Sequence, residues 1–149
     1  MFRLFPSSRL YDQNTFYPAL ERDLLRAKYE VIIESPFITE HRTGLFMPTL
    51  QKLTDRGVRV IINTRHPEEH IGEYGERATD SIKSLQQLGL IVLFTGRLHR
   101  KIVIIDRSLF YEGSLNILSY ADSCEIMRRV ASPKEAVRLL DFVGLKKYV

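Results

Sequence analysis

Between Leu98 and Asn116 the chain reads LHRKIVIIDRSLFYEGSLN. His99 and Lys101 stand two apart, Asp106 follows after four residues, and Gly113, Ser114 and Asn116 come after six more. In an extended segment alternate side chains share a face, so His99, Lys101, Val103 and Ile105 fall on one side and Ile102 and Ile104 on the other. An imidazole standing beside an ammonium suits an anion, and phosphate is the commonest anion in a cell. For the pair alone, the competing reading is a core strand whose polar end reaches solvent. The residues that follow decide between the two.

Several elements must position this segment. Phe16, Leu20, Leu24 and Ala27 recur at helical spacing after Asn14, with Pro18 still in the first turn, and predict a helix with one apolar stripe. Val31, Ile32 and Ile33 predict a short buried strand that stops at Glu34-Ser35-Pro36. A second helix carries Phe46, Leu50 and Leu53 and ends at Gly57, where a left-handed cap favours glycine. Val58 to Asn63 reads as a strand, and the polar stretch TRHPEEHIGEYGERA, Thr64 to Ala78, as a long surface loop. A third helix from about Asp80 turns Ile82, Leu85 and Leu88 inward and stops at Gly89, before a strand from Leu90 to Phe94. Lys101 to Ile105 and Leu109 to Tyr111, joined by Asp106-Arg107-Ser108, predict an antiparallel hairpin. Glu125 to Val130 reads as one more strand. Ser132, Pro133 and Glu135 match a capping box with proline at the first helical position, opening a last helix docked by Leu139, Leu140 and Val143. Strands alternating with helices predict an α/β fold with a mixed, largely parallel central sheet covered on both faces.

With 149 residues, 44% of them hydrophobic and 27% charged, the chain fits one globular domain, 1–149, able to bury a sizeable core. Its net charge of +4 is a moderate basic excess that would help attract polyanions. Cys124 is the one cysteine, which rules out an intrachain disulfide and a Cys-rich metal site and fits a reducing compartment. No apolar run reaches the length of a membrane span, and MFRLFPSSRLYDQ lacks the apolar core of a signal peptide. These features predict a soluble, cytoplasmic protein without a membrane segment.

As a pattern, the opening stretch is H-x-K-x4-D-x6-G-S-x-N, and it resembles the signature of the phospholipase D superfamily at every named position. In length and in carrying a single motif, the chain is most similar to the small bacterial endonucleases of that superfamily. The resemblance implies that superfamily's α-β-α sandwich and a metal-independent phosphodiesterase without cofactor. By the same resemblance, His99 attacks phosphorus to form a covalent phosphohistidine, and a second motif histidine protonates the leaving oxygen and then activates water. Lys101 holds the phosphate oxygens, and Ser114 and Asn116 add neutral hydrogen bonds, with Gly113 letting the backbone come close. Glu125 matches the downstream acid that fixes a ring nitrogen of the histidine as a donor. Asp106, out of phase with His99 and Lys101 at a hairpin entrance, reads as structural.

One H-x-K is half of such a site. His41, His66 and His70 begin no second motif, and a one-motif chain completes the geometry as an isologous homodimer. Superfamily membership leaves the substrate open. Arg97 and Arg100 flank His99, and Arg128 follows Glu125, placing basic charge for nucleic acid, with DNA favoured over RNA. A lipid phosphodiesterase, which would need an apolar entrance, and a nucleic-acid-binding module without turnover are the alternatives. No histidine, cysteine or carboxylate spacing suggests a metal site.

Overall fold

The structure, a computed structural model, describes residues 7–70, 72–119 and 122–149. Strand β1 (Ser7–Tyr11) leads into helix α1 (Phe16–Leu25), followed by β2 (Glu30–Glu34), α2 (Glu40–Asp55), β3 (Arg59–Thr64), α3 (Glu73–Gln87) and β4 (Ile91–Phe94). The hairpin β5 (Ile102–Ile105) and β6 (Leu109–Gly113), then β7 (Met127–Ala131) and α4 (Pro133–Val143), complete the series. The strands form one seven-stranded sheet in the order β1-β7-β6-β5-β2-β3-β4.

The α/β sandwich and its mixed sheet agree with expectation, but the sheet is mostly antiparallel rather than largely parallel. Among the described strands, only β2–β3 and β3–β4 pair in parallel. The pairs β1–β7, β2–β5, β5–β6 and β6–β7 are antiparallel. Loop length decides this. A parallel return needs a crossover of a dozen or more residues, which α2 and α3 provide, whereas 95–101 is too short and must hand β5 back in the opposite direction. That short segment therefore passes over the carboxyl ends of the parallel strands, and it carries His99.

Period-two alternation divides the core between the two faces. Val31, Ile33, Val60, Ile62, Val103 and Ile105 pack with Phe16, Leu20 and Leu24 of α1, Leu50 and Leu53 of α2 and Ile82 and Leu85 of α3. Ile32, Ile61, Ile102, Ile104, Phe110 and Val130 meet Ala136, Leu140 and Val143 of α4 instead. Helix α4 starts as its sequence requires, with the Ser132 hydroxyl accepting the Glu135 N–H at 3.2 Å.

Two elements differ from expectation. Helix α3 begins at Glu73, inside the stretch read as a loop. Its Gly75 is a contact residue, since an added Cβ would lie 3.0 Å from the Pro67 carbonyl oxygen and 3.1 Å from that of His70. The glycine lets α3 seat against the 3₁₀ turn Pro67–Glu69. Strand β1 was not legible because SSRLY lacks both β-branched residues and an apolar alternation; it exists by pairing with β7 from Ser7↔Ala131 to Tyr11↔Met127.

Asp106 ties the far end of β5 into the fold. Its carboxylate accepts the backbone N–H groups of Lys28, Tyr29 and Glu30 at 2.9, 2.8 and 3.0 Å, clamping the α1–β2 turn against the β5–β6 turn. It lies five residues past Lys101, about 17 Å along an extended strand. Asp106 has φ 53°, a left-handed backbone that asparagine also accepts. Asp106→Asn should therefore lower stability by about 1–2 kcal/mol through weakened acceptance. Urea unfolding measures this, and a wild-type midpoint would show that the clamp contributes nothing.

Candidate active site

The 95–101 segment is anchored at every turn. Thr95 donates its N–H to the Thr64 carbonyl at 2.9 Å and its hydroxyl to Asn63 Oδ1 at 3.0 Å. Arg97, at φ 58°, donates its N–H to Glu69 Oε1 at 3.1 Å. Leu98 is buried, and its carbonyl accepts Arg65 Nε at 2.6 Å. Next to it, the Arg100 fork grips Glu34 through Nε at 2.8 Å and Nη2 at 2.9 Å, while Asn63 Nδ2 donates to the same carboxylate at 2.7 Å. Glu34 is fully buried, so it demands such partners.

With Arg100 held on Glu34, its two neighbours meet each other. Lys101 Nζ lies 3.0 Å from His99 Nδ1 and 3.2 Å from Nε2, and it donates to the His99 carbonyl at 2.7 Å. An ammonium has only donors, so the ring nitrogen it engages acts as acceptor. Lys101 is buried and His99 exposed, which presents the ring to solvent with a cation behind it. Burial pushes the Lys101 pKa below its ordinary value; the charge of Glu125 raises it and that of Arg65 lowers it further. Glu125 is held below the usual carboxylate range chiefly by the hydroxyls of Ser114 and Ser123, with Lys101 adding to the effect. The Ser123 hydroxyl donates to it at 2.6 Å.

Ser114 is fixed at the β6–β7 junction, its Oγ accepting the Ile126 N–H at 3.0 Å. Asn116 is placed by Tyr17 of α1, whose hydroxyl donates to the Asn116 carbonyl at 3.3 Å. Among the described residues, the buried Oδ1 of Asn116 has no hydrogen-bond partner. Burial raises the Tyr17 pKa to about 12, with Glu125 adding to the rise, so it remains a donor at neutral pH. The Arg42 guanidinium lies 3.7 Å over the Tyr17 ring.

His99, Lys101, Ser114, Asn116 and Glu125 thus gather around the ends of β5, β6 and β7. Lys101 stands at the His99 ring nitrogens, and Glu125 accepts from Ser123. Arg100 extends no free cation, since Glu34 takes its fork. Arg97 is exposed at the loop turn, and Arg128 reaches Ser8 Oγ at 3.3 Å. Gly113 closes a backbone contact: an added Cβ would lie 2.1 Å from the Ile126 carbonyl oxygen. Glu34, Tyr17, Arg42 and Arg65 had no sequence signal, because each acts across a long separation in the chain. His41 lies in the first turn of α2, His66 caps the 3₁₀ turn, and His70 packs on Phe37 and Tyr74. Among the described residues no group of three or more His, Cys, Asp or Glu is placed to hold a metal ion.

Residues 20–141 match the family described as cardiolipin synthase, PLD-like domain. Among solved structures, the chain is similar to the phospholipase D family member Nuc from Salmonella typhimurium, with TM-score 0.74 and 18% identity over 93% of this chain and 91% of that one. NucT from Helicobacter pylori gives 0.72 and 16%, covering 93% of each chain. Phosphatidylserine synthase from Haemophilus influenzae gives 0.65 and 14%, over 97% of this chain but 38% of that one. No curated protein matches by sequence.

Two outcomes follow from the local electrostatics. Arg100→Ala strands a buried carboxylate and should cost about 3 kcal/mol, the low end for a broken buried pair because Arg100 itself is 42% exposed. Adding Glu34→Gln should recover part of that loss in urea unfolding; a double variant no more stable than Arg100→Ala would refute the pairing argument. Glu125→Gln removes the charge that raises the Lys101 pKa, so the Lys101 titration followed by 13C NMR should move to lower pH. An unmoved titration would mean that the two groups are uncoupled.

Proposed function

The chain belongs to the phospholipase D-like family, and on that premise we propose that it is a nuclease hydrolysing phosphodiester bonds of nucleic acid, DNA in preference to RNA, through a covalent phosphohistidine at a site shared by two copies. The observation that carries this reading is the buried Lys101 ammonium at 3.0 and 3.2 Å from the ring nitrogens of exposed His99. An approaching phosphodiester meets a nucleophile and its charge partner together.

In the proposed reaction a lone pair on a His99 ring nitrogen attacks phosphorus while the bond to the leaving oxygen breaks. The partner copy's imidazolium supplies the proton to that oxygen, which spares the formation of a free alkoxide. The resulting neutral imidazole then takes a proton from water, whose oxygen attacks phosphorus as the phosphorus–nitrogen bond breaks and returns its pair to the ring. Imidazole suits both duties because its ordinary pKa, about 6.5, lies near working pH. Lys101 balances the charge that accumulates on the phosphoryl oxygens, and Asn116 and Ser114 supply neutral contacts. Nothing in these steps calls for a metal-activated water. A second copy supplies the second histidine, since none of His41, His66 and His70 begins a second H-x-K.

Likeness to Nuc and NucT supports nucleic acid over lipid. The chain corresponds to nearly the whole of Nuc and NucT but to little more than a third of the phosphatidylserine synthase. No helix among the described residues is long and apolar enough to cross a membrane, and the lone Cys124 suits a cytoplasmic setting.

One observation favours the lipid reading. An open groove of about 520 Å³ borders Lys101 and Gly113 and is walled by Leu10, Ile126, Leu139 and Phe142. Phe142 is 85% exposed and Ile126 61%, an apolar surface of the kind an acyl chain would use.

Labelled DNA, labelled RNA and phosphatidylcholine vesicles, each assayed in EDTA, separate these readings. We expect nucleic-acid cleavage to persist in EDTA, to vanish in His99→Ala, and to be suppressed when excess His99→Ala subunit exchanges into wild type. Preference for vesicles would install the lipid reading. Full activity at dilutions where sedimentation finds only monomer would overturn the shared site, and activity lost in EDTA and restored by a divalent ion would overturn the metal-free reaction.

A further inference from the structure

A second cationic feature lies apart from the half-site, on the α1 side of the sheet. A cavity of about 350 Å³ opens between β1, α1 and β7, and its wall includes Ser7, Ser8, Arg9, Arg22, Arg26 and Arg129. Asp23 is the one carboxylate in that wall. It is already taken: Arg129 binds it side-on through Nε at 2.7 Å and Nη2 at 3.1 Å, and the buried Tyr111 hydroxyl donates to it as well. Arg9, Arg22 and Arg26 have no carboxylate partner within ion-pair distance among the described residues. Three guanidinium groups without an acidic partner therefore border one basin lined also by the Asp23–Arg129–Tyr111 cluster and by Ser7 and Ser8.

We propose that this basin binds a backbone phosphate of the polynucleotide, a few nucleotides from the bond that is cleaved. The inference rests on the nuclease reading given above and extends it to a second contact. Guanidinium forks match phosphate oxygens in pairs, and an anion relieves the mutual repulsion of the three arginines. Placement sets the distance. Tyr17 touches Asn116 at the catalytic end of α1, and Arg22 and Arg26 follow on the same helix and its cap, about 8 and 14 Å further along at a rise of ~1.5 Å per residue. At ~3.4 Å of helix-axis rise per nucleotide, that is about two to four nucleotides beyond the Asn116 end of α1. A strand leaving the site along α1 would carry its backbone into the basin.

The test uses the full chain with Arg22→Ala and Arg26→Ala together, both exposed positions at the end of a helix, leaving the Asp23, Arg129 and Tyr111 cluster untouched. Charge reversal to Glu at the same two positions is the second variant. His99→Ala is added so that DNA stays intact, and fluorescence anisotropy measures binding of a single-stranded dodecamer and of a dinucleotide too short to span the distance. The dodecamer should lose on the order of tenfold affinity or more, far beyond any loss for the dinucleotide, and its salt slope should become shallower by about 0.7 for the one lost phosphate contact. The Glu pair should weaken it further. Dodecamer affinity and slope unchanged in both variants, with the unsubstituted chain still cleaving DNA, would overturn the basin and leave the nuclease standing. Failure of the unsubstituted chain to bind or cleave either DNA would overturn both. Pyrophosphate binding that the substitutions abolish, with no dependence on oligonucleotide length, would make the basin a small-anion site and overturn the proposal equally.

Discussion

The burial of Glu34 is the constraint on which the arrangement of the site depends. A carboxylate at the end of β2 with no exposed surface cannot remain ionised without donors, and an uncompensated buried charge costs several kcal/mol. The chain meets this need from two directions: Arg100 arrives from the motif segment and Asn63 from the neighbouring parallel strand. Asn63 in turn receives the Thr95 hydroxyl, so one carboxylate ties together β2, β3 and both ends of the segment that bears His99. Once Arg100 is held on Glu34, His99 and Lys101 are brought together, and their contact is a consequence of the pairing beside them.

Much of this fold was legible because its parts are governed locally. The capping box of α4, the apolar stripe of α1 and the hairpin around Asp106 each follow from residues within a few positions of one another, and they stand where local rules put them. What was not legible depends on distant partners. Glycines at 72 and 75 look like loop punctuation until the turn at Pro67 is seen packed against one of them. The direction of β5 is a property of a short connection, not of the strand's own residues. The site shows the same division: spacing marked His99, Lys101 and Asn116, whereas the partner of Arg100 is 66 residues away and the contact from Tyr17 to Asn116 spans 99.

Charge obeys the same distinction between composition and placement. The excess of 22 basic over 18 acidic residues is small, yet it understates the local field. Glu30 takes Arg59 and Arg107, Glu34 takes Arg100, and Asp23 takes Arg129, and all three acids are buried at strand or helix positions. These three acids thus hold four arginines to the sheet, and Arg9, Arg22, Arg26 and Arg97 are exposed along β1, α1 and the motif loop. A weakly basic chain can in this way present strongly basic surfaces.

Lys101 shows how the site reconciles burial with charge. Desolvation alone would favour its neutral form, which could not balance a phosphate. Glu125 opposes that tendency, and Glu125 is kept ionised by serine hydroxyls rather than by a second cation, so its charge stays available to the lysine. The cost is that one negative charge faces the single positive charge supplied by the motif. A phosphodiester gains negative charge on its oxygens as a nucleophile adds, and one lysine partly offset by its own glutamate leaves that charge poorly balanced. On the proposed reading, a second copy contributes more than a missing proton donor. It doubles the lysines around one phosphorus, where the low dielectric that depresses each lysine also strengthens its attraction for the oxygens.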